Sequence, residues 1–366
     1  MNNKLIIIAA GGTGGHVFPG IALGYELKRK NYNVRFITRK NDLFIPLLNK
    51  HSFDYSTINI HGWNRRLSFR IFSSFALCIA SFFKSLQILT NCKPSAVVGM
   101  GGYVSLPVVV AAWFKNIPVL IHEQNIVPGL TNSISSCFAK KIAISFDESK
   151  SKFKSNKIIV TGNPVRNDLL GDEPKNAQKN LHIPSNKLVV LIFGGSQGAS
   201  SINAHMLSAI NIIERTSTDK PFFIHITGKK DYAKVLQAYT SKQIPALVKD
   251  FTNDMGILYS AADLVICRAG ASTIAELIYM QKPAILVPYP HAAGDHQKKN
   301  AEYLFNKGCV HMAADKELSG LFLSNTILDY MHNKDHLSSM KNNYHLLANI
   351  TANAHTNLAN AVESII

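Results

Sequence analysis

Three glycine-rich segments have the residue types and spacing to bind phosphate groups. Each follows an apolar run and precedes a segment with helical periodicity: AAGGTGGHVFPG (9–20), GGSQGASSIN (194–203) and CRAGASTIAEL (267–277). Glycines let the backbone approach an anion, and the following helix adds free N–H groups and the positive end of its dipole. The first segment is not a dinucleotide motif, because Val17 stands where the third glycine belongs, and it lacks the ending of a Walker loop. Its alternative is a tight turn needed only for packing.

Polar residues near these segments have the chemistry to bind phosphate or hydroxyl groups. The Ser196 hydroxyl could donate to a phosphate, and Arg166 in TGNPVR could reach a phosphate or a sugar. Glu276 lies one turn into the helix that follows the third segment, where a carboxylate can accept both hydroxyls of a ribose. The alternatives are a surface charge for Arg166 and a partner of the helix dipole for Glu276.

Two further polar segments follow apolar runs that are typical of buried strands. HEQN (122–125) comes after PVLI, and HAAGDHQKKNA (291–301) comes after PAILVPYP. Because ligands of α/β proteins bind at the carboxyl ends of strands, both segments are candidates for a binding cleft. His291 and His296 do not form a metal site by themselves, and the chain contains no Asp-x-Asp pair to bridge a metal to a diphosphate. We therefore predict no metal.

Alternating strands and helices must position these residues. The apolar runs at 4–10, 96–98, 188–193 and 264–267 each lead into a glycine loop and a helix. This pattern predicts an α/β fold with two Rossmann-like, doubly wound domains that face each other across a cleft. We expect domains at 1–163, joined by a C-terminal helix at 341–366, and at 164–340. The polar stretch 171–187 is interpreted as the linker region.

Composition limits the classes of partner. The 366 residues carry a net charge of +16, which favours phosphates, nucleic acid or an acidic membrane surface. The five cysteines form no CxxC pair, so a disulfide framework or a structural zinc site is not expected. The longest helical apolar stretch, 71–83, is shorter than the about 20 residues that span a bilayer, so we predict no transmembrane helix. No nucleic-acid-binding motif is present, and we expect no such partner.

The apolar stretch 71–83 is rich in phenylalanine and has basic residues on both sides, a pattern that suits an anionic membrane surface. An ordinary core helix with solvated ends is the alternative. The residues expected to contact the membrane are Arg65, Arg66, Arg70, Phe72, Phe75, Phe82 and Phe83.

Seven segments occur in the order typical of one family: GGTGGHVFPG, GMGGYVSLP, HEQNIVPGLTN, TGNPVR, GGSQGA, CRAGASTIAE and DHQKKNA. Together they resemble the MurG family of bacterial glycosyltransferases (glycosyltransferase family 28). The resemblance implies a GT-B fold, no cofactor, and transfer of N-acetylglucosamine from its UDP derivative to undecaprenyl-pyrophosphoryl-N-acetylmuramoyl-pentapeptide. It also implies a peripheral enzyme of peptidoglycan synthesis on the cytoplasmic face of the inner membrane, with roles in cell shape and division. The donor would bind mainly to the C-terminal domain and the acceptor to the N-terminal domain.

The resemblance also assigns site residues. The donor contacts would be Thr13, Gly14, Gly15, Asn125, Arg166, Ser196, Thr252, Ala271, Ser272, Thr273, Ile274, Ala275, Glu276 and Gln297. The acceptor contacts would be Gly11, Gly12, His16, Gly101, Gly102 and Tyr103. His16 and Glu123 are the candidates for the catalytic base, and the start of a helix favours a neutral imidazole at His16. Thr252 departs from the family, which more often has an aliphatic residue there, so its contact with uracil would be through the main chain.

Two other functions share parts of this pattern. A UDP-N-acetylglucosamine 2-epimerase would have two Rossmann-like halves and the same donor, but no need for a lipid acceptor. A non-enzymatic nucleotide-sugar sensor or scaffold would bind the donor without transfer. Incubation with the donor alone, and with a lipid-linked acceptor, separates these functions.

Overall fold

A computed structural model describes residues 4–60, 70–169, 174–195 and 198–366, without the side chains of residues 70–75. The chain divides into two compact units, residues 1–166 with 350–366 and residues 167–349. The bounds of independently folding domains stay a prediction.

Thirteen strands and fifteen α-helices make up the described chain. The strands are β1 Leu5–Ala9, β2 Asn33–Arg39, β3 Asp54–Ile58, β4 Ala96–Gly99, β5 Val119–Glu123, β6 Lys141–Ile144, β7 Ile158–Val160, β8 Val189–Phe193, β9 Phe222–Ile226, β10 Ala246–Lys249, β11 Leu264–Cys267, β12 Ala284–Leu286 and β13 Val310–Met312. The helices are α1 Gly14–Arg29, α2 Ile45–Lys50, α3 Arg70–Cys92, α4 Gly102–Phe114, α5 Leu130–Ser135, α6 Pro174–Asn180, α7 Ser200–Thr216, α8 Tyr232–Ser241, α9 Met255–Ala261, α10 Ala271–Met280, α11 His296–Phe305, α12 Gly320–His332, α13 Lys334–Asn343, α14 Ala348–Ala352 and α15 Ala354–Glu363. Short 3₁₀ turns lie at Asp147–Lys152, Asn167–Leu169, Ala293–Asp295 and Tyr344–Leu347.

The first unit contains a parallel sheet in the order β3-β2-β1-β4-β5-β6-β7. Ile6 and Ile8 of β1 pack on one side in a core that includes residues of α1 and α15, while Ile7 and Ala9 pack on the other side with residues of α4. Helices therefore cover both faces, as the continuous apolar run of β1 predicts. Lys30 Nζ donates to Glu363 Oε2 at 2.7 Å and helps to hold α15 on this unit.

The second unit contains a parallel sheet in the order β10-β9-β8-β11-β12-β13. In both sheets the chain order reverses beside the first strand, between β1 and β4 and between β8 and β11. The loops that leave such a strand pair turn to opposite faces and open a crevice at the carboxyl edge of the sheet. The predicted α/β class is confirmed, and the predicted glycine loops lie at these two reversal points.

The interpretation of 171–187 as a linker is wrong for its middle part. Residues 174–180 form α6, which packs on α9: Ala177 is buried, and Gln178 Nε2 donates to the Ala261 carbonyl at 3.1 Å. Because this helix buries little besides one alanine, its sequence does not show the periodic apolar residues that predict a helix. Within the described ranges, no helix is long and apolar enough to cross a membrane.

Candidate functional site

The first glycine loop follows β1 and is shaped by neighbouring side chains. A Cβ added to Gly11 would lie 2.7 Å from Thr38 Oγ1, so this position has no room for a side chain. Gly12 has a φ of +82°, and its N–H donates to Asp42 Oδ2 at 2.7 Å. The predicted acceptor contact at Gly12 therefore has its N–H engaged by a buried carboxylate. The N–H groups of Gly14 and Gly15, in the first turn of α1, have no acceptor within the helix and suit an anion.

His16 lies where the loops after β1 and β4 meet. Its Nδ1 is 2.9 Å from Thr13 Oγ1. A Cβ added to Gly101 or to Gly102 would lie 3.2 Å from the imidazole, and both glycines have positive φ values, +91° and +70°. The two glycines are thus required by backbone conformation and by the ring that packs on them. A Cβ added to Gly12 would lie 2.9 Å from the Tyr103 hydroxyl, so Tyr103 also borders this crevice.

Glu123, at the end of β5, is 1% exposed and organises the loop that follows. Its Oε1 accepts from the Asn125 N–H at 2.9 Å and from Asn125 Nδ2 at 3.1 Å. Its Oε2 accepts from the Gly129 N–H at 3.1 Å and from Asn132 Nδ2 at 2.8 Å. Burial raises the pKa of Glu123, and these hydrogen bonds oppose the rise. A raised pKa suits a base, but both carboxylate oxygens are engaged inside the unit.

The same loop is tied to its neighbours by His122 and Gln124. Gln124 Nε2 donates to the Met100 carbonyl at 2.8 Å, next to Gly101, and lies 3.1 Å from His122 Nδ1. His122 Nε2 is 3.1 Å from the Gly162 carbonyl oxygen. Burial lowers the pKa of His122 to about 4, so its imidazole is neutral near pH 7. A buried network of hydrogen bonds therefore fixes the positions of the loops after β4 and β5 relative to each other.

Arg166 lies close to the start of α1. Its guanidinium carbon is 4.9 Å from the centre of the Phe18 ring. The Phe18 ring in turn lies 2.8 Å from where a Cβ of Gly14 would be. The structure thus brings the predicted phosphate ligand Arg166 next to the predicted loop residue Gly14.

In the second unit, the loop after β8 is held by backbone contacts and by a buried network. A Cβ added to Gly198 would lie 2.3 Å from the Thr227 carbonyl oxygen, and its φ is +77°. Asn203 Nδ2 donates to the same carbonyl and to Asp231 Oδ2, both at 2.8 Å. His225 Nε2 is 3.0 Å from Asn203 Oδ1, and burial lowers the pKa of His225 to about 3. Ser196 lies outside the described residues.

The third glycine segment forms the start of α10, capped by Gly270. The Ser272 hydroxyl is buried and has no hydrogen-bond partner within the described chain. The side chains of Ile274 and Ala275 are buried in the core, so any contact of theirs with the donor would be through the backbone. Glu276 accepts from the hydroxyl of Tyr259 through Oε2 at 2.9 Å. Only one side of this helix can face a ligand. Fewer side chains of the predicted run 271–276 can therefore contact the donor.

The loop after β12 leads into α11, and Gln297 lies in the first turn of that helix. Its Oε1 accepts from the Tyr289 N–H at 2.9 Å, which leaves the amide NH₂ as the group for a sugar hydroxyl. Thr252 Oγ1 accepts from the Asp254 N–H at 3.1 Å and shapes the turn before α9.

Known proteins match both units. The N-terminal domain model of glycosyltransferase family 28 matches residues 6–144, and its C-terminal domain model matches residues 189–359. The chain belongs to glycosyltransferase family 28. A Myxococcus xanthus relative in this family is 37% identical over 93% of the chain and 88% of its own length, and a Geotalea uraniireducens relative is 37% identical over 95% of both. Both are named UDP-N-acetylglucosamine–N-acetylmuramyl-(pentapeptide) pyrophosphoryl-undecaprenol N-acetylglucosamine transferase.

Solved structures agree with membership in family 28. MurG from Acinetobacter baumannii is 28% identical, has a TM-score of 0.76 and covers 99% of both chains. A UDP-GlcNAc 2-epimerase from Neisseria meningitidis is 14% identical, with a TM-score of 0.69 over 99% of this chain and 100% of its own. The epimerase shares the fold alone. The predicted family and enzyme class, a glycosyltransferase, are confirmed.

Sequence reasoning missed several residues that hold the candidate site together. Asp42 holds the first loop, and Tyr259 holds Glu276. Arg268 Nη1 donates to the Val287 and Pro288 carbonyls at 3.1 and 3.3 Å and thus links the loops after β11 and β12. Asp42 and Arg268 each follow a strand at the carboxyl edge of its sheet, a position that could have suggested them. Tyr259 lies in the middle of a helix and carries no such signal.

Proposed function

We propose that this chain transfers N-acetylglucosamine from UDP-N-acetylglucosamine to the C4 hydroxyl of N-acetylmuramoyl-pentapeptide on undecaprenyl pyrophosphate. The observation that carries this proposal is the 37% identity, over 93% of the chain, to a relative named for this activity. The reaction would serve peptidoglycan synthesis, and through it cell shape and division. The first unit would bind the acceptor, and the second unit the donor.

Groups of the second unit have the chemistry to bind each part of UDP. The start of α7 and the start of α10 suit the diphosphate, because each presents N–H groups at the positive end of a helix. The buried Ser272 hydroxyl would gain a partner there, which removes a costly unsatisfied group. Glu276 would accept the ribose hydroxyls, Gln297 would bind the sugar, and the turn at Thr252 would contact uracil.

In the proposed mechanism, His16 is the general base and Glu123 is a positioning residue. His16 is half-buried and lies at the crevice of the first unit, whereas the Glu123 oxygens are engaged by Asn125, Gly129 and Asn132. The acceptor C4 oxygen attacks C1 of the donor sugar while His16 takes the hydroxyl proton. The bond from C1 to UDP breaks in the same displacement, so the α-linked donor gives a β-linked product. Arg166 and the helix N-termini would stabilise the charge on the leaving diphosphate.

Peripheral binding to the anionic cytoplasmic face of the inner membrane is part of the proposal. Phe83 on α3 and Phe114 on α4 are 62% and 65% exposed. Phe82 packs edge-to-face on both, with ring centres 5.4 Å from Phe83 and 6.3 Å from Phe114. An exposed aromatic patch on a chain of net charge +16 suits an anionic lipid surface. The other predicted contacts, Arg65, Arg66, Arg70, Phe72 and Phe75, lie outside the described side chains.

Donor consumption with and without acceptor tests the proposal. With UDP-N-acetylglucosamine alone, we expect neither UDP release nor a change of the sugar at C2. Addition of the lipid-linked muramoyl-pentapeptide should release UDP in proportion to acceptor, also in the presence of a chelator. Epimerised sugar from the donor alone would contradict the transferase assignment, and donor binding without any turnover would indicate a scaffold.

A further inference from the structure

Tyr259 makes a buried hydrogen bond to Glu276, the residue that we propose binds the ribose hydroxyls. Tyr259 lies on α9 and is 0% exposed, and Glu276 lies on α10 and is 6% exposed. The tyrosine hydroxyl donates to Glu276 Oε2 at 2.9 Å. A hydrogen bond between a neutral donor and a carboxylate is charge-assisted and stronger than one between neutral groups.

Tyr259 is placed among the segments that lead to the proposed donor loops. Its ring packs edge-to-face on Phe193, with ring centres 5.8 Å apart, and Phe193 ends β8 directly before the glycine loop. Its own helix, α9, begins just after the turn at Thr252, and its hydroxyl reaches α10. One buried side chain therefore connects the elements proposed to hold the diphosphate, the uracil and the ribose.

We propose that Tyr259 is a positioning residue that holds Glu276 in the side-chain conformation that binds the ribose hydroxyls, and so sets the preference for ribonucleotides over deoxyribonucleotides. The inference rests on the proposed donor role of Glu276. Because Tyr259 is buried, it does not contact the nucleotide itself, and its hydroxyl acts on the ribose through Glu276. A carboxylate oxygen has two lone pairs, so Oε2 can accept from Tyr259 and still accept from a ribose hydroxyl. Without the tyrosine hydroxyl, a long and flexible side chain must be ordered by the nucleotide itself.

Calorimetric binding of UDP and 2′-deoxy-UDP to the full chain tests this inference. The wild type should bind UDP about tenfold more tightly than 2′-deoxy-UDP, because the deoxy compound lacks one hydroxyl donor to Glu276. Tyr259→Phe keeps the ring and its packing on Phe193. It should weaken UDP binding about five- to tenfold and 2′-deoxy-UDP binding by no more than about twofold, so that the ratio of the two affinities narrows.

Tyr344→Phe is the matched control. Tyr344 is also 0% exposed and lies in the same unit, but its hydroxyl donates to the Lys282 carbonyl at 2.8 Å. This variant should keep the wild-type ratio. In a Glu276→Gln background, Tyr259→Phe should change the ratio of the UDP and 2′-deoxy-UDP affinities by no more than about twofold. The carboxylate that Tyr259 positions is already absent there. If Tyr259→Phe does not fold, Glu276→Asp, which draws the carboxylate away from Tyr259, must narrow the same ratio.

Four outcomes overturn the inference. Equal weakening of both ligands by Tyr259→Phe would indicate a general packing role, and unchanged binding of both would show that the hydroxyl is dispensable. If the wild type binds UDP and 2′-deoxy-UDP equally well, Glu276 does not bind the ribose hydroxyls, and the inference is wrong. A wild type that binds no UDP would also overturn the proposed function, whereas the other outcomes leave that function intact.

Discussion

At the scale of single residues, His16 in the first turn of α1 and Glu123 at the end of β5 have different surroundings. His16 contacts Thr13 and the backbone of two glycines at the crevice. Glu123 is enclosed by four hydrogen bonds that shape the loop after β5. A general base must be able to contact the substrate. A residue that holds a loop in place must keep its hydrogen bonds to that loop. These surroundings support His16 as the base and Glu123 as a positioning residue.

His16→Ala should lower turnover by about 10²–10⁴-fold, the usual contribution of a general base, while UDP affinity changes by no more than about threefold. Glu123→Gln is the comparison variant. An amide NH₂ would face the donors that now surround the carboxylate, so stability and turnover should fall together. The measurements are kcat with saturating substrates, UDP binding and thermal unfolding. Turnover of His16→Ala within a few-fold of the wild type would exclude it as the base.

At the scale of elements, the strands and glycine loops could be predicted because their signals are local. A buried parallel strand is a continuous apolar run, and a helix start after glycines needs only adjacent residues. The contacts of Asp42, Tyr259 and Arg268 could not be predicted in this way, because each joins two elements that are separated in sequence. Only the positions of Asp42 and Arg268 after strands carried a signal. The helix α6 was missed because it buries little besides Ala177 and shows no period. The roles of the predicted site residues stay predictions, although the structure brings His16, Gly101 and Gly102 together.

The loop between β8 and α7 should depend strongly on Gly198. An alanine there would need a positive φ and would bring its Cβ within 2.3 Å of the Thr227 carbonyl oxygen. Gly198→Ala should therefore destabilise the second unit by about 2–4 kcal/mol and weaken UDP binding. Gly129→Ala is a suitable control, because an added Cβ there meets nothing within 4 Å. Urea unfolding and UDP titration check this prediction, and wild-type values for Gly198→Ala would contradict it.

At the scale of the whole molecule, charge and the exposed aromatic patch predict binding to anionic vesicles. Phe83→Ser removes an aromatic ring that is 62% exposed, and should weaken vesicle binding about tenfold, given about 1.5–3 kcal/mol for a fully buried phenylalanine. Leu321→Ser, at a residue 59% exposed in the second unit, should leave binding unchanged. Sedimentation with phosphatidylglycerol vesicles measures both variants. Equal binding by Phe83→Ser and the wild type would remove this patch from the proposed membrane contact.

Acid should destabilise each unit through its buried histidine. Burial lowers the pKa of His225 from 6.5 to about 3, so the folded chain keeps the imidazole neutral while the unfolded chain binds a proton below pH 6.5. Stability from this group is fully present above pH 6.5 and falls as the pH drops toward 3. Between pH 7 and 5 the loss is about 2 kcal/mol.

Hydrogen exchange of buried strand amides resolves this effect unit by unit. In His225→Gln, the loss of protection in β8 and β9 between pH 7 and 5 should be smaller by about 2 kcal/mol than in the wild type. Amides of β4 and β5, beside His122, should keep the wild-type pH dependence. Identical pH dependence of β8 and β9 in both proteins would show that His225 is not kept neutral by the fold.

The structure of the product tests the central claim, inverting transfer to the C4 hydroxyl, most directly. The chain is incubated with UDP-N-acetylglucosamine and lipid-linked N-acetylmuramoyl-pentapeptide, and the disaccharide is released and analysed by NMR. We predict one added N-acetylglucosamine, β-linked to C4 of the muramoyl sugar, formed at the same rate with a chelator present. An α-linked product, a linkage at another hydroxyl or an unmodified acceptor would contradict the account.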